Sequence, residues 1–126
     1  MIAYQMVGVR DLDVARAFYD TVLGALGAGR AFDSDRMQAW ASPNGGPMIV
    51  ACTPYDGKPS STGNGAMTAL AASSTEQVDS VYRAALKAGG TDEGAPGDRA
   101  NGAGYFAYFR DPDGNKFSLA HFYGRG

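Results

Sequence analysis

The chain has 126 residues, of which 44% are hydrophobic and 19% are charged, and its formal net charge is −2 at pH 7. This size and composition predict one globular domain with a substantial buried core. The Lys and Arg residues are scattered rather than clustered, which argues against a nucleic-acid-binding surface, and no apolar run is long enough to span a bilayer.

The N-terminal sequence and the cysteine content bear on location. The opening segment MIAYQMVGVRDLD lacks the basic region and apolar core of a signal peptide. Cys52 is the only cysteine, so no internal disulfide can form. We therefore expect a cytoplasmic protein.

The first half of the chain is typical of a strand, a helix and three further strands. Apolar residues at helical spacing predict a helix over 11–27, with Asp11 as its N-cap and Gly27 at its C-terminal end. Short apolar and β-branched runs predict strands near 3–9, 30–34, 37–41 and 47–53.

The second half shows the same order. We expect a helix over 73–90, capped by Ser74 or Thr75, and a longer loop over 94–104. The predicted strands of this half lie at 65–72, 91–95, 105–110 and 115–122.

The two halves can be overlaid as an internal repeat. A shift of 63 places the first helix on the second, and a shift of 69 places WASPNGGPMIVA (40–51) on FRDPDGNKFSLA (109–120). We therefore predict a duplicated βαβββ unit within a single domain, with module 1 at 1–53, a linker at 54–64 and module 2 at 65–126.

Three segments carry a resemblance to a known family. VGVRDLDVARAFYDTVLGALG (7–27), VDSVYRAALKAGG (78–90) and FRDPDGNKFSLAHF (109–122) resemble the first strand and helix, the second helix and the last hairpin of the vicinal oxygen chelate superfamily. That superfamily includes glyoxalase I, extradiol dioxygenases and bleomycin- and fosfomycin-resistance proteins. The resemblance implies an α+β fold in which tandem βαβββ modules form a curved mixed sheet around a shared cavity.

The resemblance also implies where a metal would be bound. Enzymes of the superfamily hold a divalent ion that polarises the substrate, with ligands on the first and last strand of each module. Those positions correspond to Tyr4, Ile49, Met67 and Ser118. None of these four residues supplies the carboxylate or imidazole that such an ion prefers. We therefore expect no metal site of the family type and no cofactor.

The same cavity could instead hold an organic ligand. Aromatic, aliphatic and thioether side chains with a few hydroxyl groups suit a small aromatic or amphipathic molecule. The residues that we expect to line the site are Tyr4, Met6, Trp40, Ile49, Met67, Tyr105 and Ser118. Tyr105 and Tyr108 should point to opposite faces of their strand, so either one could face the cavity.

Other reactive side chains have simpler interpretations. Asp111 and Asp113 lie in DPDGN, whose spacing does not match a calcium-binding loop and is typical of a hairpin turn. His121 could act as a general base, but alternation places it on the strand face opposite Ser118. Arg99 in the predicted loop could pair with an anionic ligand at the cavity mouth.

Three functional hypotheses remain open. The first is a metal-independent protein that binds a small molecule between its modules and forms a homodimer, with neither nucleic acid nor membrane as a partner. The second is a lyase, isomerase or dioxygenase-type enzyme that acts on a small oxygenated substrate. The third is an interaction module whose cavity is filled by its own side chains.

Overall fold

A computed structural model describes residues 1–124 of the chain. It confirms the order of strand, helix and three strands in each half. Neither helix among these residues has the length and apolar character needed to cross a bilayer. The elements in chain order are β1 (Tyr4–Gly8), α1 (Leu12–Ala25), β2 (Gly29–Asp33), β3 (Met37–Ala41), β4 (Met48–Cys52), β5 (Thr68–Ala71), α2 (Thr75–Lys87), β6 (Thr91–Arg99), β7 (Gly104–Arg110) and β8 (Lys116–Phe122).

The strands form two mixed sheets with the same topology. The first has the order β1-β4-β3-β2 and the second the order β5-β8-β7-β6. In each sheet the first and last strands of the module pair in parallel, and the other pairs are antiparallel. The α+β class and the duplicated modules are therefore confirmed. Each module nevertheless forms its own four-stranded sheet, and the two sheets do not join into one.

The helix boundaries follow from the predicted capping residues. The side chain of Asp11 accepts hydrogen bonds from the backbone N–H groups of Asp13 and Val14 at the start of α1. Ser74, rather than Thr75, caps α2 by accepting from the N–H of Gln77 at 3.1 Å.

The segment 94–104 differs from its predicted form as a loop. β6 continues through this Gly- and Pro-rich stretch as far as Arg99, and only 100–103 remain as a turn. Two register shifts interrupt its pairing with β7. Bulges of this kind take up extra residues and tolerate proline, which is why a sequence with loop composition can remain in a strand.

The overlay of the two last strands needs a one-residue correction. Gln5 pairs with Ile49 in the first sheet, and Thr68 pairs with Phe117 in the second. Since a shift of 63 carries Gln5 to Thr68, Ile49 corresponds to Phe117, and Val50 rather than Ile49 corresponds to Ser118. The turn of module 1 contains one more residue between its glycine and the following strand than the DPDGN turn does.

A single hydrophobic core joins the modules through the rings of α1. The Phe18 ring lies 6.2 Å from that of Phe109, and the Tyr19 ring lies 5.8 Å from that of Phe117. Phe109 and Phe117 stack on adjacent strands of the second sheet with an interplanar angle of 9°. Burial of such rings is the main source of stability in a core of this size.

A buried carboxylate at the start of the DPDGN turn links this core to the turn. Asp111 is 3% exposed, and its Oδ2 accepts a hydrogen bond of 2.5 Å from the Tyr19 hydroxyl on α1. Its Oδ1 accepts from the backbone N–H groups of Asp113 at 3.0 Å and Asn115 at 2.8 Å. The carboxylate therefore shapes the turn of module 2 and holds the helix of module 1.

The rest of the turn contacts the end of β1. The Asn115 side-chain amide donates to the carbonyl of Gly8 at 2.9 Å. The Asp113 carboxylate accepts from the backbone N–H of Arg10 at 3.0 Å and from its Nε at 3.2 Å. The acids of DPDGN thus shape a turn, as predicted, and also clamp the two modules together.

Gly104 at the start of β7 and Gly29 at the start of β2 allow the close packing around β7 to be tested. A Cβ added at Gly104 would lie 2.6 Å from the His121 carbonyl oxygen, whereas one at Gly29 would meet no atom within 4 Å. We expect Gly104→Ala to lower the free energy of unfolding by roughly 1–3 kcal/mol, because backbone must move to admit the methyl group. Gly29 is exposed, so Gly29→Ala should change it by no more than about 0.5 kcal/mol. Equal effects of the two substitutions in urea unfolding would contradict this.

Burial and the Asp111 carboxylate raise the pKa of Tyr19 well above its ordinary value of 10.0. Above pH 10 the unfolded chain loses this proton while the folded chain keeps it, so the stabilisation is full below pH 10 and is lost as pH rises. Between pH 10 and 11 we expect wild-type stability to fall more steeply than that of Tyr19→Phe, by up to about 1.4 kcal/mol per pH unit.

Urea unfolding across this pH range gives the comparison. Tyr55→Phe is the matched control, because the Tyr55 side chain is 91% exposed. It should retain the wild-type slope. A wild-type slope in Tyr19→Phe would show that the buried hydroxyl does not titrate as described.

Candidate functional site

The edge strands β1 and β5 border a cleft at the junction of the modules. β1 is the edge strand of the first sheet and β5 that of the second. Two cavities, of 590 and 410 Å³, open between them, and both include Gln5, Met67 and Thr68 in their walls. These volumes are in the range of small-molecule sites.

The larger cavity is mainly apolar. It lies at the end of α1 and beside the turn that precedes β4. Its apolar wall contains Leu23, Leu26, Trp40, Ile49 and Leu70. We call it the apolar cavity.

The smaller cavity is more polar. It lies at the C-terminal end of β1, under the linker, and beside the DPDGN turn. Its wall includes Met6, Gly8, the linker residues Ser61–Gly63, Asn115 and Lys116. We call it the polar cavity.

Glycines allow the linker to lie close to both modules. A Cβ at Gly8 on β1 would lie 3.1 Å from Cβ of Ser60, and one at Gly114 in the DPDGN turn would lie 3.2 Å from Cγ2 of Thr62. Gly114 also has φ of 91°, a conformation that side chains disfavour. The linker is therefore packed as part of the cleft wall.

Trp40, Ile49, Met67 and Met6 lie at the cleft. The first three are in the wall of the apolar cavity, and Met6 and Met67 are in that of the polar cavity. Trp40 is only 1% exposed, and its Nε1 donates to Asp20 at 3.0 Å. Ile49 packs partly against the core.

The carboxylate that holds Trp40 is itself fixed by a cation. Arg30 makes two hydrogen bonds to Asp20, of 3.0 and 2.8 Å. The hydrogen bond from Arg30, with a further contribution from that of Trp40, lowers the pKa of Asp20. The indole is thus oriented by a charged acceptor at neutral pH, which presents a fixed ring to the apolar cavity.

Tyr4 and Ser118 lie on the sheet faces that are turned away from the helices. Tyr4 is 52% exposed and is in the wall of neither cavity. Ser118 lies between Ala69 and Tyr108 and is 1% exposed. Its hydroxyl donates to the Leu119 carbonyl at 3.4 Å, so it is not directed into the cleft.

Tyr105 and Tyr108 point to opposite faces, as strand alternation predicts. The Tyr105 hydroxyl donates to Asp79 of α2 at 2.7 Å, and this hydrogen bond raises the pKa of Tyr105. The Tyr108 ring lies on the other face of the sheet. Cζ of Arg99 is 5.3 Å from its centroid, and Nζ of Lys116 is 5.7 Å from it. Tyr105 is therefore on the helix side of the sheet, and Tyr108 is on the face that contains Ser118.

His121 is also on the helix side, opposite Ser118 as predicted. Its Nδ1 lies 3.1 Å from the Ala72 carbonyl oxygen, which can only accept, so Nδ1 is the donor of this hydrogen bond. His121 is in the wall of neither the apolar nor the polar cavity. Arg99 likewise turns back onto backbone carbonyls of β6 and β7.

The donor atoms do not fit a divalent ion of the kind that the resemblance implies. With the corrected overlay, the four positions are occupied by Tyr4, Val50, Met67 and Ser118, which supply no carboxylate or imidazole. Within the described part of the chain, no three His, Cys, Asp or Glu side chains are grouped closely enough to hold a metal ion.

Sequence reasoning missed several residues of the cleft. Neither Gln5 nor Lys116 was among the residues predicted to line the site. The linker was identified by composition but was not expected to form a wall. Gly8 and Gly114 were the sequence features that pointed to this wall. Their meaning, a close approach of the linker, becomes clear only when the path of the linker is known.

Comparisons with known proteins identify the family. The family model of the Glyoxalase/Bleomycin resistance protein/Dioxygenase superfamily matches residues 1–119. The chain belongs to this superfamily. No curated protein gives a significant match.

Solved structures agree with this assignment. A glyoxalase/bleomycin resistance protein from Albidiferax ferrireducens T118 is 41% identical, with a TM-score of 0.88 over 96% of this chain and 98% of its own. A lactoylglutathione lyase from Agrobacterium tumefaciens is 21% identical, with a TM-score of 0.70 over 95% and 92%. A glyoxalase-related enzyme from Fulvimarina pelagi is 20% identical, with a TM-score of 0.75 over 95% and 86%. The last two show likeness of fold alone.

The acid–base properties of the region around Tyr105 can be tested at Tyr123. Its hydroxyl donates to Asp98 at 2.5 Å, and this hydrogen bond raises the pKa of Tyr123 to about 12. We expect Asp98→Asn to lower that pKa towards 10, as followed by NMR titration of the Tyr123 ring. Asp56→Asn, in the linker, should leave it unchanged. An unaltered Tyr123 titration in Asp98→Asn would contradict the assigned cause.

Proposed function

We propose that this protein binds a small aromatic or amphipathic molecule in the cleft between its modules, without the metal ion of the family's enzymes. The observation that carries the proposal is the pair of cavities that share Gln5, Met67 and Thr68. One cavity is apolar and the other polar, so an amphipathic molecule would satisfy both. The unsuitable donor set at the four family positions supports a site without a divalent ion.

The architecture of the apolar cavity supports binding rather than a filled core. Its volume of 590 Å³ is enough for a one- or two-ring molecule. Leu26, Met48 and Ile49 are only partly buried and supply apolar surface, and burial of apolar ligand surface gives about 25 cal/mol per Å² before the costs of association. A cavity closed by its own side chains would not leave this volume.

We also propose that the protein forms a homodimer. Large apolar side chains remain exposed on the sheet faces that are turned away from the helices, including Tyr4 at 52% and Met6 at 39%. A second copy is an occupant that could cover them. Analytical ultracentrifugation at micromolar concentrations measures the oligomeric state, and a monomer at every concentration would contradict the proposed dimer. A cytoplasmic location stays a prediction.

The methionines offer an internal control for the binding test. The chain has five, of which Met48 and Met67 line the apolar cavity, whereas Met37 lies on β3 and lines neither the apolar nor the polar cavity. We expect 1-naphthalenemethanol, a neutral two-ring probe, to shift the ¹³C-methyl NMR signals of Met48 and Met67 with saturation, and to leave Met37 unchanged. Equal small shifts of all methionines would mean non-specific association and would contradict the proposal.

A cavity-filling variant sharpens this test. Ala28 lies in the wall of the apolar cavity, whereas Ala17 lies on the exposed face of α1. We expect Ala28→Phe to weaken probe binding by about tenfold or more, because a phenyl group occupies the space and tenfold corresponds to about 1.4 kcal/mol. Ala17→Phe should bind as wild type does.

Native mass spectrometry of the purified protein would add a direct measurement of copurified ligand, metal and subunit number. A stoichiometric metal lost on substituting Tyr4 or Ser118 would overturn the metal-free proposal.

A further inference from the structure

Lys116 places an uncompensated charge at the polar cavity. The side chain is half-buried in the wall of that cavity, and its Nζ lies 5.7 Å from the centroid of the Tyr108 ring. Among residues 1–124, no carboxylate or other acceptor lies within ion-pair or hydrogen-bond distance of this ammonium group. This ammonium group has three N–H donors and no protein acceptor, so it is available to an anionic ligand.

The segment Thr62–Gly65, which joins the end of the linker to the first residue of module 2, carries backbone donors that the described residues do not use. Residues Thr62–Gly65 have four N–H groups and no proline, and none of these groups donates to an acceptor within residues 1–124. Within residues 1–124, the one hydrogen bond of this stretch runs from the Ala66 N–H to the Gly63 carbonyl, at 3.1 Å. Consecutive free amides in a glycine-rich turn are the groups with which proteins bind anions.

A neighbouring cavity extends the same surface. It has a volume of 520 Å³, and its wall consists of Thr62–Met67, Arg110 and Lys116. Arg110 is fixed by an ion pair with Glu93 and donates to the Gly114 carbonyl at 2.7 Å. Lys116 therefore lies between two cavities, and neither wall contains a carboxylate.

We propose that Lys116 and the amides of Thr62–Gly65 form a binding site for an oxyanion, either a carboxylate or a phosphate group. The ligand of the cleft would then be an amphipathic anion, with its apolar part beside Leu26 and Ile49 and its charged end beneath the linker. The placement of the apolar part rests on the proposed function, whereas the oxyanion site stands on Lys116 and the linker amides.

The oxyanion site can be probed without any apolar ligand. We expect acetate and inorganic phosphate, each titrated separately, to shift the ¹H–¹⁵N signals of Gly63 and Gly65 with saturation, while that of Gly29 stays constant. Lys116→Gln should weaken the binding of both anions by about tenfold, because a hydrogen-bonded charge of this kind contributes on that scale. Lys87→Gln removes the same charge from the end of α2 and should bind as wild type does. The anion with the larger response identifies the group that the site prefers.

Matched aromatic probes then test whether one ligand uses both the apolar site and the oxyanion site. We expect 1-naphthoate or 1-naphthyl phosphate to bind more tightly than 1-naphthalenemethanol, by about tenfold, and Lys116→Gln to remove this preference. If the neutral probe binds but neither anion moves the Gly63 and Gly65 signals, the oxyanion site is wrong and the proposed function survives. If the anions bind and the neutral probe does not, the oxyanion site survives and the proposed apolar site fails. Anion shifts that persist in Lys116→Gln would also overturn the assignment.

Discussion

The arrangement of the two modules depends on the buried carboxylate of Asp111. This one group accepts from a tyrosine hydroxyl on the first module and from backbone and side-chain amides of its own turn. A buried carboxylate is tolerated only when such donors surround it. Since Tyr19 also packs against Trp40 and Phe117, the hydrogen bond fixes where α1 lies between the sheets. The distance between the edge strands β1 and β5, and so the cleft, follows from that position.

The linker is a second contact between the modules, in addition to the contacts of the DPDGN turn. It crosses Gly8 of the first module and Gly114 of the second so closely that a Cβ at either position would lie 3.1 or 3.2 Å from a linker side chain. A segment of linker composition would ordinarily be mobile and of little consequence for binding. In this fold it is a wall of the polar cavity, and Lys116 lies in another wall of the same cavity. Connection of the modules and recognition of a ligand would therefore depend on the same residues.

Much of this fold could be predicted from the sequence, because helical periodicity, capping residues and the repeat all act locally. Asp11 and Ser74 behave as such signals should. The misjudged features depend on tertiary pairing. The one-residue difference between the turns cannot be seen when prolines and glycines are aligned, and it moves Ile49 to the opposite sheet face from the one that Ser118 occupies. The strand β6 persists through glycine and proline because β7 offers a partner, which local propensity does not register.

The candidate site was predictable to a smaller extent. Met6, Trp40, Ile49 and Met67 do line the cleft, but the expectation came from a family pattern centred on a metal. Ser118 is buried, and the Tyr105 hydroxyl is hydrogen-bonded to Asp79 on α2. The cationic wall was missed because a single lysine on a strand has no distinctive pattern. Only the packing of the linker reveals that no acid accompanies it.

The two cavities are also related by the internal repeat. The polar cavity lies beside the C-terminal end of β1 and the turn of module 2, and the apolar cavity lies beside the C-terminal end of β5 and the turn of module 1. A perfectly symmetric duplication would offer a ligand two equivalent poses, related by exchange of its ends. Divergence of DPDGN from SPNGG, with Lys116 on one side only, removes that equivalence. The molecule thus presents a directional groove, and a ligand with two unlike ends would enter it in a single orientation.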